Sequence, residues 1–175
     1  MFWRSFPFTL AGIFFFALCP RLQAAESAII RYSILEKSVS VAELSRLSET
    51  GEVAPALASQ LKMVNKEPEQ LRQVLNQSVS IDPVLLSRIL NNPIGESLLD
   101  SASDVIHTPS KSASRQALRS ALVTSALDDK KIRLIEILEN YPTSEVYVDG
   151  EKLVNLMNQI KGILASIPRL PKLPF

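Results

Sequence analysis

The sequence predicts a mainly α protein: a compact multi-helix domain with room for one short two-stranded β pairing. Of its 175 residues, 46% are hydrophobic and 21% are charged, a balance typical of a single globular core. The glycine count is only 5, which argues against sandwiches and barrels that need many tight turns. Leu, Ala, Glu, Gln, Lys and Arg are abundant, and these residues favour helices.

Residues 1–24 have the pattern of a secretory signal peptide. Arg4 precedes an apolar run at residues 6–18, and the small residues Ala24 and Ala25 follow. As a helix, the run would span roughly 20 Å, which is shorter than the ~30 Å hydrocarbon layer of a membrane. A cleaved signal is therefore favoured over an uncleaved anchor. We expect export to a periplasm, a lumen or the extracellular space, with membrane contact only through an uncleaved signal.

Charge and cysteine content exclude several function classes. The whole chain has a formal net charge of +1, and cleavage after Ala24 would remove two arginines and no acid. The mature chain is then nearly neutral, unlike a nucleic-acid-binding domain. Cleavage would also remove Cys19, the only cysteine, which excludes disulfides and thiolate zinc sites in the mature chain.

Two segments have the pattern of short strands. Residues 28–35, AIIRYSIL, place Ile30, Tyr32 and Ile34 on one side of an extended chain. Residues 145–150, EVYVDG, alternate in the same way and are expected to pair with the first segment.

The first helix is predicted within residues 38–51 because both of its ends are marked. Ser40 and Glu43 have the spacing of a capping box, and Leu44 begins an apolar stripe. Gly51 lies where a left-handed residue would end the helix.

Proline and capping signals predict five further helices in the middle of the chain. They lie within residues 54–64, 68–77, 82–92, 93–106 and 110–127. Asp82 is expected to cap the third of them, with Pro83 at its first turn. The last of them has an alanine-rich face, which permits close approach of neighbouring helices and predicts a central packing helix.

Two more helices and a tail complete the prediction. One helix is capped by Asp128 or Asp129 and ends before Pro142, and the last begins at about Asp149. Residues 167–175, with three prolines at every third position, are expected to be extended and polyproline-like.

The only histidine, His107, is the first candidate for chemistry. Asp104 lies three residues before it and Ser110 three residues after it, which suggests a hydrolytic triad. Neighbours on one short segment do not converge easily, because triads are assembled from separate elements. The favoured interpretation is therefore a helix end before Pro109, where a histidine interacts well with the helix dipole.

The acidic residues of the later helices are the second candidate. Asp128, Asp129, Glu136 and Glu139 lack the alternating ligands and central glycine of a calcium loop, so capping and a solvated face are favoured. The chain contains no G-x-S-x-G, P-loop, dinucleotide fingerprint or H-E-x-x-H motif. We therefore predict no catalytic, metal-binding or cofactor-binding residue and no cofactor.

Apolar residues are the remaining candidates for contact with a ligand or partner. Met63 and Val64, Tyr147 and the tail at residues 167–175 carry hydrophobic surface beyond what a helical domain needs. Core packing is the favoured interpretation for Met63 and Val64, whereas for the tail contact with a ligand or partner is as favoured as its absence.

Several ordered segments resemble the domain of unknown function that precedes an α/β-hydrolase domain in exported cyanobacterial proteins. They are residues 29–53, 68–100, 105–110, 116–123 and 134–149. The resemblance covers about Ala25 to Ile160. It implies an exported helical accessory domain at residues 25–166 that lacks the downstream hydrolase domain and its catalytic serine, acid and histidine.

Three functions follow, in order of preference. The first is a non-catalytic accessory domain that binds another protein, such as a separately encoded hydrolase domain. The alternative is a carrier or sensor of an apolar ligand held between helices, as helical bundles allow. The least favoured is a hydrolase, which rests on His107 and the family label alone; fold-level analogy does not settle function.

Overall fold

The computed structural model of the protein describes residues 24–156, in which strands and helices are interleaved. The strands are β1 (Ser27–Tyr32), β2 (Leu35–Ser40), β3 (Ser78–Ser80), β4 (Ile106–His107), β5 (Lys131–Arg133) and β6 (Glu145–Asp149). The helices are α1 (Val41–Thr50), α2 (Pro55–Met63), α3 (Pro68–Leu75), α4 (Pro83–Leu90), α5 (Pro93–Ser103), α6 (Ser114–Ser125) and α7 (Leu134–Glu139). A further helix, α8, begins at residue 150 and is described as far as residue 156.

The fold is α/β, so the prediction of a mainly α domain is wrong. Helices contain 53% and strands 19% of the described residues. Four strands form a mixed sheet in the order β2-β1-β6-β4, and β3 pairs with β5 in a second sheet. In the larger sheet, β1 is parallel to β6 and antiparallel to β2, while β4 is antiparallel to β6.

The pairing expected between the first and last strand segments is confirmed, since Ala28 lies opposite Val146. The first segment is nevertheless not one strand. The chain turns back at Ser33 and Ile34, and Leu35 begins β2 as the partner of β1. Ile34 is therefore at the tip of a hairpin, where its side chain is 95% exposed.

Several tight turns of this fold form without glycine. Left-handed backbone conformations occur at five non-glycine residues of the described chain: Ser33, Asn65, Lys111, Ala113 and Lys130. Such conformations are unfavourable for most side chains but are tolerated where the surrounding structure fixes them. The number of glycines therefore underestimates the number of tight turns in this chain.

Several helix ends follow the sequence signals. Gly51 has a φ of 80° and its N–H donates to the carbonyl of Leu47, which ends α1 as expected. Ser40 precedes α1, but its side chain makes no capping hydrogen bond, so the predicted capping box is absent. Asp82 caps α4 by accepting from the N–H groups of Val84 and Leu85. The Leu85 N–H and Lys130 hold the pKa of Asp82 below its ordinary value.

The helix predicted to begin at Asp128 or Asp129 begins later. Residues 131–133 form β5, and α7 starts at Leu134 with Arg133 as its N-cap residue. The carboxylate of Glu136 accepts from the backbone N–H of Arg133 at 2.8 Å. Residues 131–133 therefore pair with β3 as a strand, although the apolar spacing predicts that they belong to the first turn of the helix.

Helix α6 lies at the centre of the helical layer, as its alanine-rich face predicts. It contacts α4, α5 and α7 and also the short strands β4 and β5. Leu118 and Ala121 on its inner face are buried. The small side chain of Ala121, which is fully inaccessible, allows neighbouring backbones to approach.

Two buried positions show how tightly this core is packed. Helices α4 and α5 form a hairpin in which a Cβ atom added at Gly95 would lie 1.9 Å from the carbonyl oxygen of Ile89. Tyr141, just after α7, has a fully buried side chain, and its hydroxyl has no hydrogen-bond partner within residues 24–156. Burial raises the pKa of this phenol well above its ordinary value.

Within residues 24–156, no helix has the length and hydropathy needed to cross a membrane. The predicted signal segment at residues 6–18 and the tail at residues 167–175 lie outside the described residues.

Candidate functional site

A large apolar depression lies between one face of the four-stranded sheet and the helices α1, α2, α3, α7 and α8. We call it the groove. Its volume is about 630 Å³, within the range of roughly 300–1,000 Å³ that small-molecule sites occupy. Most of its lining side chains are aliphatic, so it is suited to an apolar ligand.

The floor of the groove follows from strand alternation. Side chains at every second position of a strand share one face of the sheet. In β1 this face carries Ile30 and Tyr32, and in β2 it carries Leu35, Lys37 and Val39. The hairpin thereby brings four apolar or aromatic side chains and one lysine onto the same surface.

Two of the helices that line the groove, α2 and α3, pack differently. In α3, Leu71, Val74 and Leu75 have the i, i+3, i+4 spacing that places them on one face, and all three line the groove. In α2, Leu57 is the only fully buried side chain. Because α2 packs against the rest of the domain through so little buried surface, a gap remains beneath it.

Met63 and Val64, at the end of α2, line the groove and do not belong to the core. The side chain of Met63 is 67% exposed, so core packing, the interpretation favoured from the sequence, is wrong for this residue. Val64 is partly exposed at the same rim. The alternative interpretation, a ligand-facing position, agrees with this geometry for both residues.

The charged side chains that line the groove are all cationic. They are Lys37 from β2 and Lys66 from the loop before α3. The Lys66 Nζ lies 5.6 Å from the centre of the Tyr32 ring, which is within the range of a cation–π interaction. Neither lysine was singled out from the sequence. For Lys37 the reason is that it faces the groove only if residues 35–40 form a strand.

His107 lies in strand β4 and not at a helix end, so the favoured interpretation of this residue is wrong. Helix α5 ends at Ser103, and pairing with β6 extends the chain around His107. The imidazole is 5% exposed and stacks on Tyr147, with ring centres 5.4 Å apart. Its Nδ1–H donates to the carbonyl of Thr108 at 2.8 Å.

The structure does not assemble a triad from Asp104, His107 and Ser110. Asp104 is an exposed residue at the end of α5, and the Ser110 hydroxyl accepts from the N–H of Ser112. The buried hydroxyls near the histidine serve the local turn instead: Thr108 donates to the carbonyl of Ser112 at 2.8 Å. Tyr147, a contact candidate from the sequence, covers the imidazole.

Three of the four acidic candidates have local structural roles, and Asp129 and Glu136 both lie within ion-pair distance of the Arg133 guanidinium group. Asp129 accepts from the N–H of Lys131, Glu136 pairs with Arg133, and Glu139 accepts from the Ser45 hydroxyl at 2.6 Å. Asp128 is exposed. No group of three or more metal-ligating side chains is close enough to hold a metal ion among the residues that the structure describes.

The chain matches a known family of unknown function. Residues 24–149 match the family described as "alpha/beta hydrolase of unknown function (DUF1400)". The chain belongs to this family. No curated protein and no solved structure is significantly similar to the chain. The DUF1400 match includes all six strands, so the floor of the groove lies within the family region, whereas α8 follows it.

Proposed function

We propose that this DUF1400 domain is a non-catalytic binding module of an exported protein, and that the groove holds an apolar ligand. The groove is the observation that carries this proposal, because it combines a suitable volume with a lining of mostly aliphatic side chains. It favours the carrier or sensor hypothesis over the hydrolase hypothesis. The latter has less support, since His107 bonds to the carbonyl of its own neighbour.

An uncharged fluorescent probe tests this proposal directly. N-phenyl-1-naphthylamine should bind the purified protein with increased emission, because it would leave water for the groove. Val74 on α3 is partly buried and lines the groove, so Val74→Trp should fill part of the space. We expect its probe affinity to fall about tenfold, equivalent to about 1.4 kcal/mol.

A matched substitution separates groove filling from a general effect of added tryptophan. Val84 is 59% exposed on α4, away from the groove, and Val84→Trp should keep wild-type affinity. Val64→Trp, at the rim, gives a second groove variant if Val74→Trp unfolds. No probe binding to the wild type, or equal affinity in all variants, would refute the proposal.

A protein partner is a second candidate, favoured by a different surface. Helices α4 and α5 expose four large apolar side chains: Val84, Leu85, Ile94 and Leu98. Their exposed fractions range from 46% to 75%, and apolar surface of this kind is often covered by a partner. The accessory hypothesis assigns this face to another polypeptide, such as a separately encoded hydrolase domain.

Native mass spectrometry of the protein from its own exported fraction distinguishes the two candidates. An accessory domain should carry the mass of a second polypeptide, which Leu98→Glu on the exposed face should release. A small apolar adduct that Leu98→Glu leaves in place would instead support the ligand-binding function. A bare monomer would contradict the protein-partner candidate.

A further inference from the structure

The charge distribution of the groove narrows the class of its ligand. Among the described residues that line it, four are glutamines, two are lysines and none is a carboxylate. Within residues 24–156, neither Lys37 nor Lys66 forms a salt bridge with an acidic side chain. The groove is therefore apolar along its length and cationic at these two positions only.

The two lysines flank the same aromatic ring. Tyr32 lies opposite Leu35 in the hairpin, so Lys37 is its diagonal neighbour on the same face of the sheet. Diagonal neighbours in an antiparallel pair are about 7–8 Å apart. Lys66 approaches the ring from the helical side, with its Nζ 5.6 Å from the ring centre. Both lysines are thus neighbours of Tyr32, which lies at the hairpin end of the groove beside the turn at Ser33 and Ile34.

The two lysines are exposed to water, unlike the aliphatic residues that adjoin them in the groove. Lys37 and Lys66 are exposed, whereas the adjoining aliphatic residues Ile30 and Leu71 are partly buried against the core. A charged group is costly to move from water into an apolar site unless it is paired. A ligand that enters the groove can keep a charged head beside the lysines while its apolar part leaves water.

Resting on the proposed function, we infer that the groove binds a single-chain amphiphile with an anionic head group. The aliphatic lining takes the chain, and Lys37 and Lys66 bind the head group at the Tyr32 end. Ammonium groups act as point charges toward carboxylate and phosphate alike, so the shared chemistry is a negative charge on one end of an apolar chain.

Competition against N-phenyl-1-naphthylamine measures this selectivity. Dodecanoate, dodecyl phosphate and dodecan-1-ol carry the same chain with different heads. The alcohol loses less hydration and should compete best if only the apolar lining matters. If Lys37 and Lys66 bind the head group, dodecanoate or dodecyl phosphate should bind about fivefold more tightly than the alcohol. This difference in affinity is consistent with two exposed ion pairs. Added salt should reduce that preference.

Lysine variants assign the preference to the two side chains. Lys37→Gln combined with Lys66→Gln should abolish it while leaving dodecan-1-ol binding unchanged, and the paired Lys→Arg variants should retain it. Lys62→Gln removes a nearby lysine of α2 that does not line the groove, and it should behave as the wild type.

The possible failures are distinguishable. If the uncharged probe and dodecan-1-ol do not bind, the groove is filled by another part of the chain or closed in solution, and the proposed function fails. If they bind but the anionic ligands bind no better than the alcohol, the anionic head group is refuted and the apolar site stands. A preference that survives the double glutamine variant would refute the roles of Lys37 and Lys66. A preference for dodecyl phosphate over dodecanoate would identify a phosphate head, and the reverse a carboxylate.

Discussion

Gly95→Ala is expected to lower the free energy of unfolding by about 3 kcal/mol, at the upper end of the cost of overpacking. The added Cβ would lie 1.9 Å from the Ile89 carbonyl oxygen and 2.8 Å from the Leu90 Cα. Both are backbone atoms, so the α4–α5 hairpin has to open to accommodate the methyl group. The expected change is destabilising, whereas a glycine-to-alanine substitution ordinarily stabilises a helix by roughly 0.5–1 kcal/mol.

Urea denaturation followed by far-ultraviolet circular dichroism measures this effect, since the only tryptophan, Trp3, lies outside the described residues. Ser97→Ala is the matched control, because Ser97 is exposed on the same helix. Its stability should stay within about 0.5 kcal/mol of the wild type, as is usual for surface positions. A Gly95→Ala protein as stable as this control would show that the hairpin is packed less closely than described.

Tyr141→Phe is expected to have the second largest effect, at alkaline pH. The folded-state pKa of Tyr141 is raised by burial, whereas an unfolded tyrosine ionises near pH 10. The protonated phenol therefore makes its full contribution to the free energy of unfolding below about pH 10. This contribution is lost as the pH rises further. The wild type should lose about 1 kcal/mol per pH unit between roughly pH 10 and 12 through this residue.

The comparison of wild type with Tyr141→Phe isolates this residue from the lysines that titrate in the same range. The phenylalanine variant should have equal or slightly higher stability at pH 7, because it removes a buried hydroxyl that has no hydrogen-bond partner among the described residues. The stability difference between the two proteins should widen above pH 10. Parallel stability profiles up to pH 12 would show that the phenol is accessible to water in the folded protein.

Helix positions were predictable because their signals are local. Pro68, Pro83 and Pro93 each begin a helix as predicted, since a proline lacks only an N–H that the first turn does not use. Gly51 ends α1 for an equally local reason, the ease with which glycine adopts a left-handed conformation. Signals of this kind operate within four residues and need no knowledge of the fold.

The strands were less predictable because tertiary pairing creates them. Strands β3, β4 and β5 contain only two or three residues each, too few for an alternating pattern to be detected. Strand β2 lies at an edge of the sheet, and three of its middle residues, Glu36, Lys37 and Ser38, are exposed polar side chains. Its sequence therefore lacks the apolar enrichment that usually indicates a strand.

The candidate site was predictable only in its chemistry. The sequence indicated surplus apolar surface at Met63 and Val64 and favoured core packing for both, whereas both residues line the groove. The groove itself is a gap between α2 and a sheet face to which β6, which begins 82 positions after the end of α2, contributes Val148. No local pattern reports the space left between distant elements, so the depression and its two lysines emerge only from the assembled fold.

The parallel pairing of β1 with β6 has a consequence for the order in which the domain is made. The first described strand takes its place in the sheet only when residues 145–149 are present. Until a ribosome has released them, β1 has only β2 as a partner, and an isolated hairpin is at best marginally stable. Contacts between distant residues also slow folding. The nascent chain should therefore remain open to chaperones until almost the whole family region has been synthesised.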